Sequence, residues 1–256
     1  MKRSRKVRCV ALLLFLATIS GFGDLFVSQA DFLFQGLAIA ANENNGEKDP
    51  FARKSATVPD PLESLNRTLF QLNDRLYFYF WKPLATIYSW YVPCGVRECI
   101  ERVFDNAEMP VRVVNNMLQC KPDHAGSEIG RFIINSTLGM GGFFDIAHTH
   151  FKIKEYDEDF GQTLATWGMG HRFHIHWPVL GPSSLRDSIG LAFDACLNPA
   201  LYLLDVPVSS GIRGGEGLNT TSLKIGEYED FKKSALDPYV SMRDAYFQHR
   251  DEEVSR

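Results

Sequence analysis

Residues 130–147, GRFIINSTLGMGGFFDIA, constrain this chain more than any other stretch. Ile129, Phe132, Ile133 and Met140 recur near helical spacing, so the first half reads as a helix with one apolar face. Gly139 stands after Leu138, where a helix end favours a residue that tolerates positive φ. Gly141-Gly142 turns the backbone, and Phe143, Phe144 and Ile146 follow before Asp145 and His148 restore polarity. No charge occurs from Phe132 to Phe144. Such a pattern fits two core helices joined by a glycine turn, or a bent apolar element that meets lipid. A bilayer span is excluded, because it needs roughly 20 apolar residues.

The rest of the chain is organised in the same terms. Asp60-Pro61-Leu62-Glu63 has the form of a helix start, with Asp60 as cap and Glu63 completing a capping box. Leu62, Leu65, Leu69, Leu72 and Leu76 make one stripe. Tyr77, Phe78, Tyr79, Phe80 and Trp81 then form an apolar belt around the helix, which suits a membrane boundary or a fully buried end. Shorter helices follow, broken at Pro93, Pro110 and Pro122. Val103, Phe104, Val111, Val114, Met117 and Leu118 read as core-facing, and Asn115-Asn116 as a helix–helix hydrogen bond, in preference to a lipid head-group contact. Residues 151–160 (FKIKEYDEDF) read as a solvated charged connection. Residues 172–177 alternate with period two, a short strand. Ser183 or Ser184 caps a helix with Leu185, Ile189, Ala192 and Phe193 as its stripe. Residues 209–217 read as a glycine-rich linker, and residues 220–236 and 238–253 as two terminal helices. Tyr239, Met242, Ala245 and Tyr246 form the inner face of the second.

At the amino end, residues 1–40 have the basic n-region and apolar h-region of a signal peptide, with cleavage after Ala30 or Ala40. Lys2, Arg3, Arg5, Lys6 and Arg8 against Asp24 and Asp31 give this leader +3, so a net charge of −4 leaves −7 for the remainder. An acidic body argues against nucleic acid and against electrostatic docking on anionic lipid. Residues 41–59 are polar and aperiodic, a tether. Cys94, Cys99, Cys120 and Cys196 allow three disulfide connectivities in an oxidising compartment.

Four blocks of this sequence, in order, resemble the VacJ/MlaA family of phospholipid-trafficking proteins. They are DPLESLNRTLF at residues 60–70, the stretch at 130–147, GQTLATWGMG…PVLGPSSLRD at 161–187, and DPYVSMRDAYFQHR at 237–250. The resemblance implies a mostly α, single helical domain over residues 60–253, ring-like or compact, lying in the membrane interface with a minor β-hairpin. It further implies intermembrane phospholipid transport at the periplasmic face of the outer membrane, without cofactor or reaction. Implied partners are phospholipid, the membrane, a trimeric outer-membrane porin and a periplasmic lipid carrier. Candidate lipid-passage or motif residues are Asn66, Arg67, Gly139, Gly141, Gly142, Phe143, Phe144, Asp145, Arg186 and Asp187, with residues 77–81 as the membrane contact. Arg186-Asp187 resembles the family's RD pair and suggests a buried ion pair. The chain departs from the family in lacking a lipobox: Cys9 precedes the h-region instead of following it.

Two rival classes are weighed against transport. A porin-docked structural adaptor would present an aromatic patch and move no lipid. A hydrolase would need a triad, and G-x-S-x-G is absent, since residues 181–185 (GPSSL) lack the final glycine. His171, His174 and His176 lie close in sequence, but no further ligand pair completes a zinc set. Asp157, Glu158 and Asp159 lack the glycine of a calcium hand.

Overall fold

The computed structural model describes residues 58–198 and 205–255. The leader, its cleavage sites, the position of Cys9 and most of the tether lie outside the described residues. Within them α1 (Glu63–Leu76) passes through a π-helical turn (Tyr77–Trp81) into α2 (Lys82–Tyr91). Then come α3 (Cys94–Ala107), α4 (Met109–Leu118) and α5 (Pro122–Thr137), started by Pro110 and Pro122 in their first turns. Proline fits there because its missing N–H would have no helical partner. Short helices α6 (Ile146–Thr149) and α7 (Phe160–Thr166) lead to a hairpin, β1 (His174–Trp177) antiparallel to β2 (Gly181–Ser184), with His174 opposite Ser184. The chain continues through α8 (Leu185–Leu197), α9 (Val206–Leu223), α10 (Glu227–Ser234) and α11 (Pro238–Ser255). The expected mostly α architecture with a minor hairpin is what is found. No described helix is long and apolar enough to cross a membrane.

The apolar core is small. Phe70, Tyr228, Phe231, Tyr239 and Met242 pack where α1, α10 and α11 meet, flanked by Tyr77 and Phe78. Elsewhere among the described residues, buried polar and charged side chains outnumber buried apolar ones, while large apolar side chains crowd the surface. That inversion overturns several expectations. On α1 Leu62, Leu65 and Leu72 of the leucine stripe are exposed and Leu69 and Leu76 half-buried, whereas Asn66 and Phe70 face in. On α4 Met117 is exposed, whereas Arg112, Asn115 and Asn116 are buried, as is Gln119 just beyond its end. On α8 Ile189 and Phe193 face out, and Arg186, Asp187 and Gly190 face in.

Other corrections are local. Residues 209–217 are no linker but the middle of α9, whose buried face is polar: Ser209, Arg213, Glu216, Asn219 and Thr220. Glycine costs a helix about 1 kcal/mol each, and packing of α9 on α2 and α3 outweighs it. The helix expected over 220–236 breaks at Gly226, whose φ of +106° ends it. Asp60 does not cap α1; its carboxylate accepts from Asn66 Nδ2 and from the Tyr239 hydroxyl. Cys94 and Cys99 share the continuous helix α3, and no disulfide forms among the described cysteines. The 151–160 connection is solvated only in part, because Glu158 is buried between Gln119 Nε2 and Lys121 Nζ, each at 2.8 Å.

Candidate functional site

Charged groups fill much of the space that an ordinary domain gives to aliphatic ones. Arg112 on α4 projects inward and its guanidinium meets Asp105 at 2.6 Å, Glu128 at 2.8 Å and Glu155 at 3.5 Å. Arg131, one turn beyond Glu128 on α5, reaches Asp145 and Glu155 at 3.2 Å each. Burial and the neighbouring Asp105 push Glu155 up to about 8. Asp194 on α8 is likewise raised to about 7 by burial and by Asp159, while accepting from Asn115 Nδ2 at 2.8 Å and Phe160 N at 2.9 Å.

A second network centres on Asp187. Its carboxylate meets Arg186 Nε at 2.8 Å, Arg250 Nη2 at 3.0 Å, Tyr246 Oη at 2.6 Å and Ser184 Oγ at 2.8 Å. Burial opposes the charge, but Arg250, His171 and Arg186 together hold it well below the usual carboxylate range. Arg250 also clamps Asp159 through both terminal nitrogens, at 2.6 and 2.9 Å. Buried charges at this density persist only when paired, since an isolated one is penalised heavily. The Arg186–Asp187 pair is thus part of the fold's frame, joining α8 to α11.

The glycine turn is held from beneath. Asn135 Nδ2 donates to Asp145 Oδ1 at 3.0 Å, and Asn135 Oδ1 accepts from Ala147 N at 2.9 Å. Asp145 also caps α6 by accepting from His148 N, and these bonds with Arg131 lower its pKa against the effect of burial. Positive φ falls at Met140, Gly141 and Gly142, and Gly139 is not among them. Gly139 serves close approach instead: a Cβ there would lie 2.2 Å from the Phe144 carbonyl oxygen. Phe143 and Phe144 are 44% and 51% exposed, so neither is core.

Asn66 and Arg67 bind elements together. Asn66 donates to the His174 carbonyl and accepts from His176 N, locking α1 to β1. Arg67 pairs with Asp237 at 2.9 Å and lies 4.6 Å from the Tyr239 ring centroid. In the π-helical turn the belt divides. Tyr77 donates to Glu229 and packs on Tyr228, while Tyr79 and Phe80 are 84% and 53% exposed. They join Leu84, Ile87, Trp90 and Tyr91 in one exposed apolar set on successive turns. Leu138, Met140, Phe143 and Phe144 form another with Ile129 and Ile133.

The profile of the MlaA lipoprotein family matches residues 58–253. The chain belongs to this family. It is 35% identical over 195 residues to the intermembrane phospholipid transport system lipoprotein MlaA of Shigella flexneri, covering 75% of this chain and 77% of that protein. The protein of that name from Escherichia coli (strain K12) is 34% identical over 195 residues, with the same coverage. A solved structure, reported as the structural basis for maintenance of bacterial outer membrane lipid asymmetry, superposes with a TM-score of 0.67 at 33% identity. The match covers 77% of this chain and 99% of the other.

Several interior residues of this family member escape a search for apolar periodicity. Arg112, Glu128 and Arg131 are examples. Their signal was polar periodicity: Arg112, Asn115, Asn116 and Gln119 recur at three- and four-residue steps, as do Glu128, Arg131 and Asn135. That spacing marks a helix face as surely as leucines do.

Proposed function

We propose that this protein takes phospholipid from the outer membrane and passes it to periplasmic carriers, maintaining lipid asymmetry. The observation that carries the reading is the inverted distribution of side chains, apolar outside and charged within. Apolar surface in contact with acyl chains holds the protein in the leaflet, and a polar interior receives a headgroup that hydrocarbon would exclude. In this reading the exposed sets around Tyr79 and Phe144 meet lipid, and folded structure, not an acyl chain, supplies attachment. The signal peptide over residues 1–40, the tether over 41–59 and docking beside a trimeric porin belong to the same proposal.

The test is lipid analysis of the full chain extracted from its native membrane, with an assay of outer-leaflet phospholipid in cells lacking it. Co-purified phospholipid and its accumulation in the outer leaflet on deletion are expected. Membrane association with no bound lipid and unchanged leaflets would favour the porin-docked adaptor. Recovery wholly in the soluble fraction would remove both.

A further inference from the structure

Residues 145–155 sort their charges by side. Asp145 and Glu155, at the two ends, both turn onto the buried Arg131, at 3.2 Å each. Asn135 Nδ2 donates to Asp145 Oδ1, its Oδ1 accepts from Ala147 N, and Arg131 Nη1 donates to the Ile153 carbonyl. Backbone bonds from His150 N to Ile146 O, Lys152 N to His148 O and Ile153 N to Ala147 O close the stretch into an arch on the end of α5. Every residue from His148 to Lys152 on this arch is exposed, and so is Lys154. The acids are drawn onto Arg131, and the bases are left facing out.

Between residues 146 and 154 the arch carries His148, His150, Lys152 and Lys154 and no acid. Among the described residues no carboxylate pairs with Lys152 or Lys154, and Lys154 meets only the Tyr156 ring, 5.2 Å from its centroid. Lysines elsewhere on the surface are neutralised: Lys82, beside the aromatic belt, by Glu229, Lys232 by Asp74 and Lys233 by Asp230. Unpaired base is thus a local exception on an otherwise acidic body. The same end of α5 exposes Leu138, Met140, Phe143 and Phe144, and Phe151 adds a large apolar ring from within the basic stretch. Apolar side chains beside unpaired ammonium groups fit the boundary between hydrocarbon and lipid phosphate, where acyl chains take the rings and the headgroup layer takes the charge.

We propose that this arch docks on anionic phospholipid, its phenylalanines entering the acyl layer while Lys152 and Lys154 meet the phosphate layer. The proposal rests on the membrane reading above and deepens it, naming the headgroup charge that the surface prefers and the segment that reads it. Overall acidity argues for the reverse, but net charge averages over every face. Exposed charges act over a Debye length, about 8 Å at physiological salt, so the side that faces the lipid decides. Each lysine held there strengthens attachment to an anionic surface about fivefold.

The full chain in detergent is diluted into two vesicle populations of different density, one of phosphatidylcholine alone and one of phosphatidylcholine mixed with phosphatidylglycerol. Flotation then separates the two and gives the partition ratio. The parent protein is expected to favour the anionic vesicles at low salt and to lose that preference at high salt. Lys152→Gln should lower the ratio about fivefold, and Lys152→Gln with Lys154→Gln about twentyfold. Lys233→Gln, which removes one exposed charge elsewhere, should leave it unchanged. An equal split in the parent, a preference that survives in the double variant, or an equal fall in Lys233→Gln would overturn the docking arch while membrane attachment stands. Recovery with neither population would overturn the membrane reading itself. If the double variant does not fold, Lys152→Gln alone decides, because that exposed ammonium has no partner to lose.

Discussion

Gly190 on α8 rests on the backbone of Gly161 on α7: a Cβ at 190 would stand 2.4 Å from the Gly161 nitrogen and 2.8 Å from its Cα. The space missing at Gly161 is in turn filled by Asp187 Oδ1 and Arg250 Nη2. These two glycines let the helices approach until the Asp187 network closes. Gly190→Ala must push backbone against backbone and should cost about 1–3 kcal/mol, the usual penalty of overpacking. Gly126→Ala is the contrast, because nothing stands within 4 Å of a Cβ there and the position is helical. It should gain up to about 1 kcal/mol. Thermal melts of both variants check the opposite signs.

The glycine turn separates two physical demands. At Gly139 an added Cβ meets the carbonyl oxygens of Phe144 and Asn135 at 2.2 and 2.5 Å, and both are backbone. At Gly141 the space is open but φ is +79°. Gly141→Ala should therefore cost only about 1–2 kcal/mol, the penalty of a left-handed alanine. Gly139→Ala should cost clearly more, since the turn itself must shift. Equal melting temperatures for the two would refute this assignment.

Exposure on the surface helices predicts a split between folding and attachment. Tyr79→Asp and Phe144→Asp place charge on side chains that are largely exposed, so the melting temperature of the detergent-solubilised protein should change little. Flotation with membranes should fall for both if these faces meet lipid. Phe231→Ala, in the small core, should cost about 3–5 kcal/mol, the range for a buried phenylalanine. Unfolding of the aspartate variants, or unchanged flotation, would return those aromatics to an ordinary role.

Much of the helical framework was legible in the chain. Proline starts, the Asp237 cap on α11 and the Ser184 cap on α8 are local chemistry, and local chemistry does not depend on which side faces water. The sidedness was not legible from hydrophobicity. Leu62, Leu65 and Leu72 have the spacing of a core stripe, and only the buried run of Asn66 and Phe70 on the opposite side shows that the stripe faces out. The glycine-rich part of α9 was missed for the same reason: its helical face is written in Ser209, Arg213, Glu216 and Asn219. The charged interior also draws on residues distant in sequence, such as Asp187 with Arg250, which no local pattern can bring together.

Titration of Asp194 gives a prediction about stability. Burial and Asp159 raise this carboxyl to about 7 in the folded protein, whereas in an unfolded chain it ionises near 4. Between those values the folded state holds a proton that the unfolded state has released, so stability falls as pH rises from about 4 to 7 and then levels. Asp187 works in the opposite sense. Its pKa is depressed, so its contribution is present above about pH 4 and is lost as pH falls further. The two together put the optimum on the acid side of neutrality. Asp194→Asn keeps an oxygen that can accept from Asn115 or Phe160 N, while removing the titration. The variant should lose part of the decline between pH 5 and 7.5, by on the order of 1–3 kcal/mol. Its acid unfolding below pH 4 should match that of the parent. Chemical denaturation across pH 3 to 8 measures both limbs, and an unchanged alkaline limb in the variant would show that Asp194 is ionised in the folded protein.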